Sequence, residues 1–189
     1  MQRFGLELDV KNSPLLDKSF LPFLKFQEAL VRDASRPVAV AVERLGGETE
    51  VFHTCVHEQP NRLEADAYYI ERLVKFLLWS KGGFRVYVCG DEELAAHIKR
   101  QYSPEGGRSF DYSFMQRVYE RPFEVVSLPY EQAPQTKRAS TPMGGHTDGC
   151  RIGFDAGCSD RKVTAMLAAK WFTATRPSGC RRKKRPAIL

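Results

Sequence analysis

The stretch Arg151–Leu167 gathers residue types that can hold phosphate. It reads Arg-Ile-Gly-Phe-Asp-Ala-Gly-Cys-Ser-Asp-Arg-Lys-Val-Thr-Ala-Met-Leu. Ile152 and Phe154 alternate with Gly153, which predicts a buried strand ending at Asp155. Ala156-Gly157-Cys158-Ser159 predicts a tight turn of small residues. Val163, Ala165 and Leu167 alternate again, which predicts a second strand leaving the turn. Such a turn exposes backbone N–H groups that can cradle phosphate oxygens. An Asp at the strand end can hold Mg²⁺ through water, and the Ser159 hydroxyl adds a donor. Taken only as Asp, Gly and Ser between strands, the same residues also describe a plain β-turn.

Two other groups are chemically suggestive. His53, Cys55 and His57 alternate along one predicted strand and so share a face, three metal-ligand types together. No fourth ligand accompanies them, and a structural or partly exposed face is the simpler reading. Cys89 and Asp91 flank Gly90 at the end of another predicted strand, where ligands bind in α/β sheets. The simpler reading there is a buried thiol beside a helix N-cap.

The elements that must position these residues are legible from periodicity. Leu21–Asp33 reads as a short helix entered at Pro22. Pro37–Arg44 and Glu48–His57 read as a hairpin turning at Gly46-Gly47. Arg62–Ser80 carries Leu63, Ala67, Ile70, Val74 and Leu77 on one helical face. Asn61 with Glu64 suggests a capping box, and Gly82-Gly83 ends the helix. Phe84–Cys89 follows as a strand. Glu92–Gln101 is a helix whose acids at the start and bases at the end suit its dipole. Ser109–Tyr119 reads as a helix and Pro122–Leu128 as a buried strand. Together these predict an α/β domain with a mixed sheet over residues 1–130. Residues 131–149 read as a linker, and 150–167 as a separate hairpin.

Composition agrees with a folded chain. Apolar residues make up 42% and charged residues 28% of the 189, which are globular proportions. No run is long and apolar enough for a membrane span, and the N-terminus lacks a signal-peptide core. The five cysteines include no CxxC pair, which argues against a disulfide framework or zinc site and for free thiols in the cytoplasm. The net charge of +6 is more than accounted for by seven basic residues, without an acid, in Ala168–Leu189. The body is therefore close to neutral. With no helix-turn-helix pattern either, nucleic acid is not an expected partner.

The full string Gly149-Cys150-Arg151-Ile152-Gly153-Phe154-Asp155-Ala156-Gly157, followed by Ser159-Asp160-Arg161-Lys162, resembles the first phosphate motif of the ROK family of sugar kinases and regulators, within the actin/hexokinase superfamily. It looks like a divergent subgroup in which an extra N-terminal domain precedes the ROK domain. The resemblance implies that Asp155, Ala156, Gly157, Cys158, Ser159, Arg161 and Lys162 form a nucleotide-phosphate site, with Asp155 the metal contact, ATP and Mg²⁺ the cofactors and a sugar the substrate. Cys158 stands where the family has its second Gly, and a side chain there narrows the room for phosphate. The N-terminal order of hairpin, helix, strand, helix and strand also looks like a degenerate half of the same actin-like fold. Its turn, Leu45-Gly46-Gly47-Glu48, lacks the Asp-x-Gly-Gly-Thr motif.

The family's catalytic Asp and later loops have no counterpart after Leu167. Residues 168–189 do not read as the next strand. Read one base out of frame, the codons from Ala168 to Thr173 allow Gly, a polar residue, Val or Met, Val, and His or Tyr, which is the turn and strand the fold calls for. The expectation is thus a frameshifted or disordered basic tail on an incomplete kinase homologue without turnover. The alternative is a non-catalytic binding or regulatory α/β module that acts through a partner chain or as a homo-oligomer.

Overall fold

A computed structural model of the chain describes residues 2–9, 22–138, 145, 148–157, 161–168 and 170–175, with 171–175 described by backbone alone. The chain divides into two compact units, Met1–Ala139 and Ser140–Leu189.

The first unit opens with a minimal hairpin, β1 (Gln2–Arg3) and β2 (Leu6–Glu7), followed by α1 (Phe23–Asp33). Next come β3 (Arg36–Glu43), β4 (Thr49–Val56) and α2 (Leu63–Ser80). The unit continues through β5 (Arg85–Cys89), α3 (Glu92–Gln101), α4 (Ser109–Tyr119) and β6 (Glu124–Leu128). Strand order is β4-β3-β5-β6. β3 runs antiparallel to both neighbours, and β5 and β6 are parallel. The mixed α/β sheet read from the sequence is therefore present. A parallel pair needs a crossover, and α3 and α4 supply it.

The core forms on the helical face of the sheet. Val38, Val40, Val42, Val86 and Val88 are fully buried there with Phe26 and Leu30 of α1, Ile70 and Val74 of α2, and Leu94 and Ile98 of α3. Each such side chain contributes about 1.5–3 kcal/mol by leaving water. Leu6 and Leu8 join this cluster from the terminal hairpin, an element the sequence did not announce. Gly82 lies in the left-handed region at φ +80°, and a Cβ there would stand 2.0 Å from the Tyr119 hydroxyl. Glycine therefore lets α2 stop against α4.

Three local expectations need correction. The capping box at Asn61 does not form: Pro60–Arg62 makes a 3₁₀ turn and Arg62 occupies the N-cap without a side-chain bond. The fixed φ of Pro60 starts the helical path earlier, so Asn61 is already inside the turn. β6 is not buried, because it is an edge strand with only partial cover. The segment after β6 is not wholly a linker. It forms a short turn at Tyr130–Gln132, and Lys137 then exchanges both backbone hydrogen bonds with Thr49 at 2.9 Å. Residues 129–137 thus run from the end of β6 to the start of β4 at the sheet's far edge. Ala39 and Ala41, on the sheet face away from the helices, are fully buried.

The second unit is a three-stranded antiparallel sheet of β7 (Cys150–Ala156), β8 (Arg161–Leu167) and β9 (Lys170–Thr175). β9 corrects the reading of the tail: Lys170–Thr175 pairs with β8. Aromatic and β-branched residues at Trp171, Phe172, Thr173 and Thr175 suit a strand. The basic run Arg181–Arg185 lies outside the described residues. No described helix is long and apolar enough to cross a membrane.

Candidate functional site

The hairpin predicted around Asp155 is formed. Ile152 pairs with Ala165, Phe154 with Val163, Asp155 with Lys162 and Ala156 with Arg161. Facing residues in an antiparallel pair share a face. Ile152, Phe154, Val163 and Ala165 therefore form one apolar side, and Asp155 and Lys162 lie on the other. The structure brings Asp155, Ala156, Gly157, Arg161 and Lys162 to one end of the hairpin. Cys158 and Ser159 lie outside the described residues. Asp155 is not at a buried strand end: it is 63% exposed, and Lys162 Nζ donates to its Oδ2 at 3.3 Å. Nor are β7's apolar residues buried, with Ile152 at 78% and Phe154 at 65% exposure. The alternation that predicted β7 specifies pairing; a buried face also needs a covering layer.

These residues do not fit a metal held by the protein alone. Among the described residues no cluster of three His, Cys, Asp or Glu side chains gathers anywhere, and Asp155 already faces a cation. Mg²⁺ is commonly bound through one or two carboxylates plus substrate phosphates, so the single carboxylate fits only a metal that arrives on a phosphate. The hairpin end presents two cationic side chains, Arg161 and Lys162, the latter paired with Asp155.

His53, Cys55 and His57 do not form one ligand face. His53 lies on the sheet face away from the helices and its Nδ1 is 3.2 Å from the Tyr130 hydroxyl. His57 follows the end of β4, and its ring turns to α2, with Nδ1 2.8 Å from Asp66 Oδ1. Asp66 Oδ2 also accepts the His57 backbone N–H at 3.1 Å. Both residues are 2% exposed. Burial raises the Asp66 pKa, opposed chiefly by the hydrogen bond and charge of His57. Nothing in the sequence set Asp66 apart from Glu64 and Glu71, the other acids of α2. His57 Nε2 has no hydrogen-bond partner among the described residues, and its burial closes it to substrate.

Cys89 and Asp91 stand at the C-terminal ends of the parallel strands, beside a cleft of about 710 Å³ lined by Arg36, Lys99, Ser127 and Tyr130 together with Asp91, Glu92 and Glu131. Both have structural work. Cys89 is fully buried and its thiol is pushed up to about 11 by burial. Asp91 caps α3 by accepting the Leu94 N–H at 2.9 Å and pairs with Arg36. Gly90 between them has φ +98°, and a Cβ would meet the Pro37 carbonyl at 2.6 Å. The cleft mixes both signs of charge and selects no ligand class.

Comparison with protein-family models, with curated proteins and with solved structures found no match to this chain.

Proposed function

We propose that the β7–β8 hairpin is a phosphate-binding element of the kind used by ROK-family sugar kinases and regulators, in a chain that binds nucleotide phosphate. One observation carries the reading: the strands pair in a register that sets Asp155 against Lys162 immediately before a turn of small residues. In this reading, backbone N–H groups near Gly157 and the Ser159 hydroxyl donate to phosphate oxygens. Lys162 and Arg161 offset their charge. Asp155 would be the residue to hold Mg²⁺ brought in on ATP, an ion that would neutralise phosphate charge. The matched residues cover the phosphate motif and not the family's catalytic Asp, so turnover is not part of the proposal. A cytoplasmic setting suits the described free thiols Cys55, Cys89 and Cys150. The likeness of the first unit to an actin-like half, and a sugar ligand in an intact relative, rest on the resemblance alone.

Thermal shift with Mg·ATP tests this proposal. A ligand that binds the native state raises the melting temperature as its concentration passes Kd. Stabilisation that Asp155→Ala and Lys162→Ala weaken supports it; no shift at millimolar Mg·ATP refutes it.

The exposed apolar side of β7, Ile152 and Phe154, favours a second reading, a non-catalytic module that works through a partner chain or a second copy. A stable oligomer that is indifferent to ATP and dispersed by Phe154→Lys marks that reading instead.

A further inference from the structure

The ends of α2 and α4 carry aromatic rings that the fold holds in water. Trp79 is 48% exposed, Phe76 58% and Phe110 64%. Trp79 stacks on Phe114 with centroids 5.1 Å apart at 18°, and lies within 3° of parallel to Phe110 at 6.3 Å. Its orientation is fixed from beneath: the indole Nε1–H donates to Oδ1 of Asp111, a nearly buried carboxylate, at 2.7 Å. A side chain exposed by default needs no such anchor.

Beside this indole lies a pocket of about 400 Å³ lined by Phe23, Arg72, Lys75, Phe76, Trp79 and Ser80. The volume is in the range of small-molecule sites. Three aromatic side chains and two cations line it, and no acid does. Arg72 makes no ion pair among the described residues. Lys75 Nζ reaches only to 4.0 Å from Asp111 Oδ2, whose partner oxygen is committed to Trp79. The polar complement of the pocket is thus positive and its walls are flat and apolar.

We propose that this pocket binds a planar aromatic ligand bearing an anionic group, the ring stacking against Trp79 and Phe76 and the carboxylate or phosphate held by Arg72 and Lys75. A half-buried cation beside an aromatic wall pairs well with an anion, and Arg does so bidentately. The site is independent of the β7–β8 hairpin, so either stands if the other fails.

Titration of the ¹⁵N-labelled full chain tests it through the indole N–H resonance of Trp79, assigned by its loss in Trp79→Phe. Phenyl phosphate and phenylacetate are the anionic probes and phenylacetamide the neutral one. The proposal expects a saturable shift with both anions, about tenfold weaker binding for the amide, and a similar loss in the Arg72→Gln/Lys75→Gln double variant. A response to phenyl phosphate alone narrows the class to phosphates. Equal response to the amide, no saturation, or a shift that follows protein concentration rather than ligand overturns it; the last marks the rings as a protein interface.

Discussion

Phe26 and Phe154 are the same side chain in opposite circumstances. Phe26 is fully buried under Phe4 and Tyr68, while Phe154 is 65% exposed on a sheet with no described layer over it. The first unit buries a large apolar core and pairs buried carboxylates within it, as with Asp66 on His57 and Asp91 on Arg36 and Leu94. The hairpin of the second unit keeps its charged pair and the apolar side chains of β7 in water. The lesson is that buried polar groups and exposed candidate sites are different sets of residues in this chain. The buried carboxylates of the first unit hold its own fold, whereas the hairpin's charged pair is exposed.

The contrast can be broken by mutation. Phe26→Ala should cost the first unit about 3–5 kcal/mol, as large core truncations do, and Phe154→Ala should cost little. Chemical denaturation followed by circular dichroism compares them, and equal losses would contradict the exposure of β7. Asp66→Ala ranks next. It leaves the His57 N–H and ring without an acceptor in the core, at about 1–3 kcal/mol, whereas Asp155→Ala should move stability by less than about 1 kcal/mol.

How much of this was legible follows from what each signal measures. The apolar stripe of Arg62–Ser80 and the valine alternation of β3 report burial against a partner, and both elements formed within about a residue of their expected ends. The Asp91 cap was equally local and equally readable. The pairing of β7 with β8 was readable because alternation and a small-residue turn specify a hairpin. The exposure of β7 was not, since it depends on what covers the sheet. The divergence of His53 and His57 was hidden for a similar reason: period-2 alternation holds only within a strand, and β4 stops at Val56. The run 129–137 looked like a linker because its role lies in backbone bonds to Thr49, which leave no side-chain pattern.

Smaller effects sharpen the comparison. Burial raises the Cys89 thiol to about 11, and the phenols of Tyr69 and Tyr102 are raised as well. In the unfolded chain a thiol ionises near 8.5. Between those values the folded state keeps a proton that the unfolded state has lost, so stability is intact below about pH 8.5 and falls as pH rises toward 11. Thermal melts across that window should show the fall, and Cys89→Ala should remove part of its slope; an identical slope would contradict the thiol's burial. The exposed Cys150 should react with a thiol reagent at pH 8 well before Cys89 does, as mass spectrometry of the labelled chain would show.

In the proposed function, the end of the β7–β8 hairpin grips phosphate. The most direct test of that grip follows the backbone amides of Gly157 and Arg161 during titration with Mg·ATP. Predicted is a saturable shift at those two amides that is lost in Lys162→Ala. A response confined to the basic residues beyond Thr175, with Gly157 and Arg161 unmoved, would contradict it.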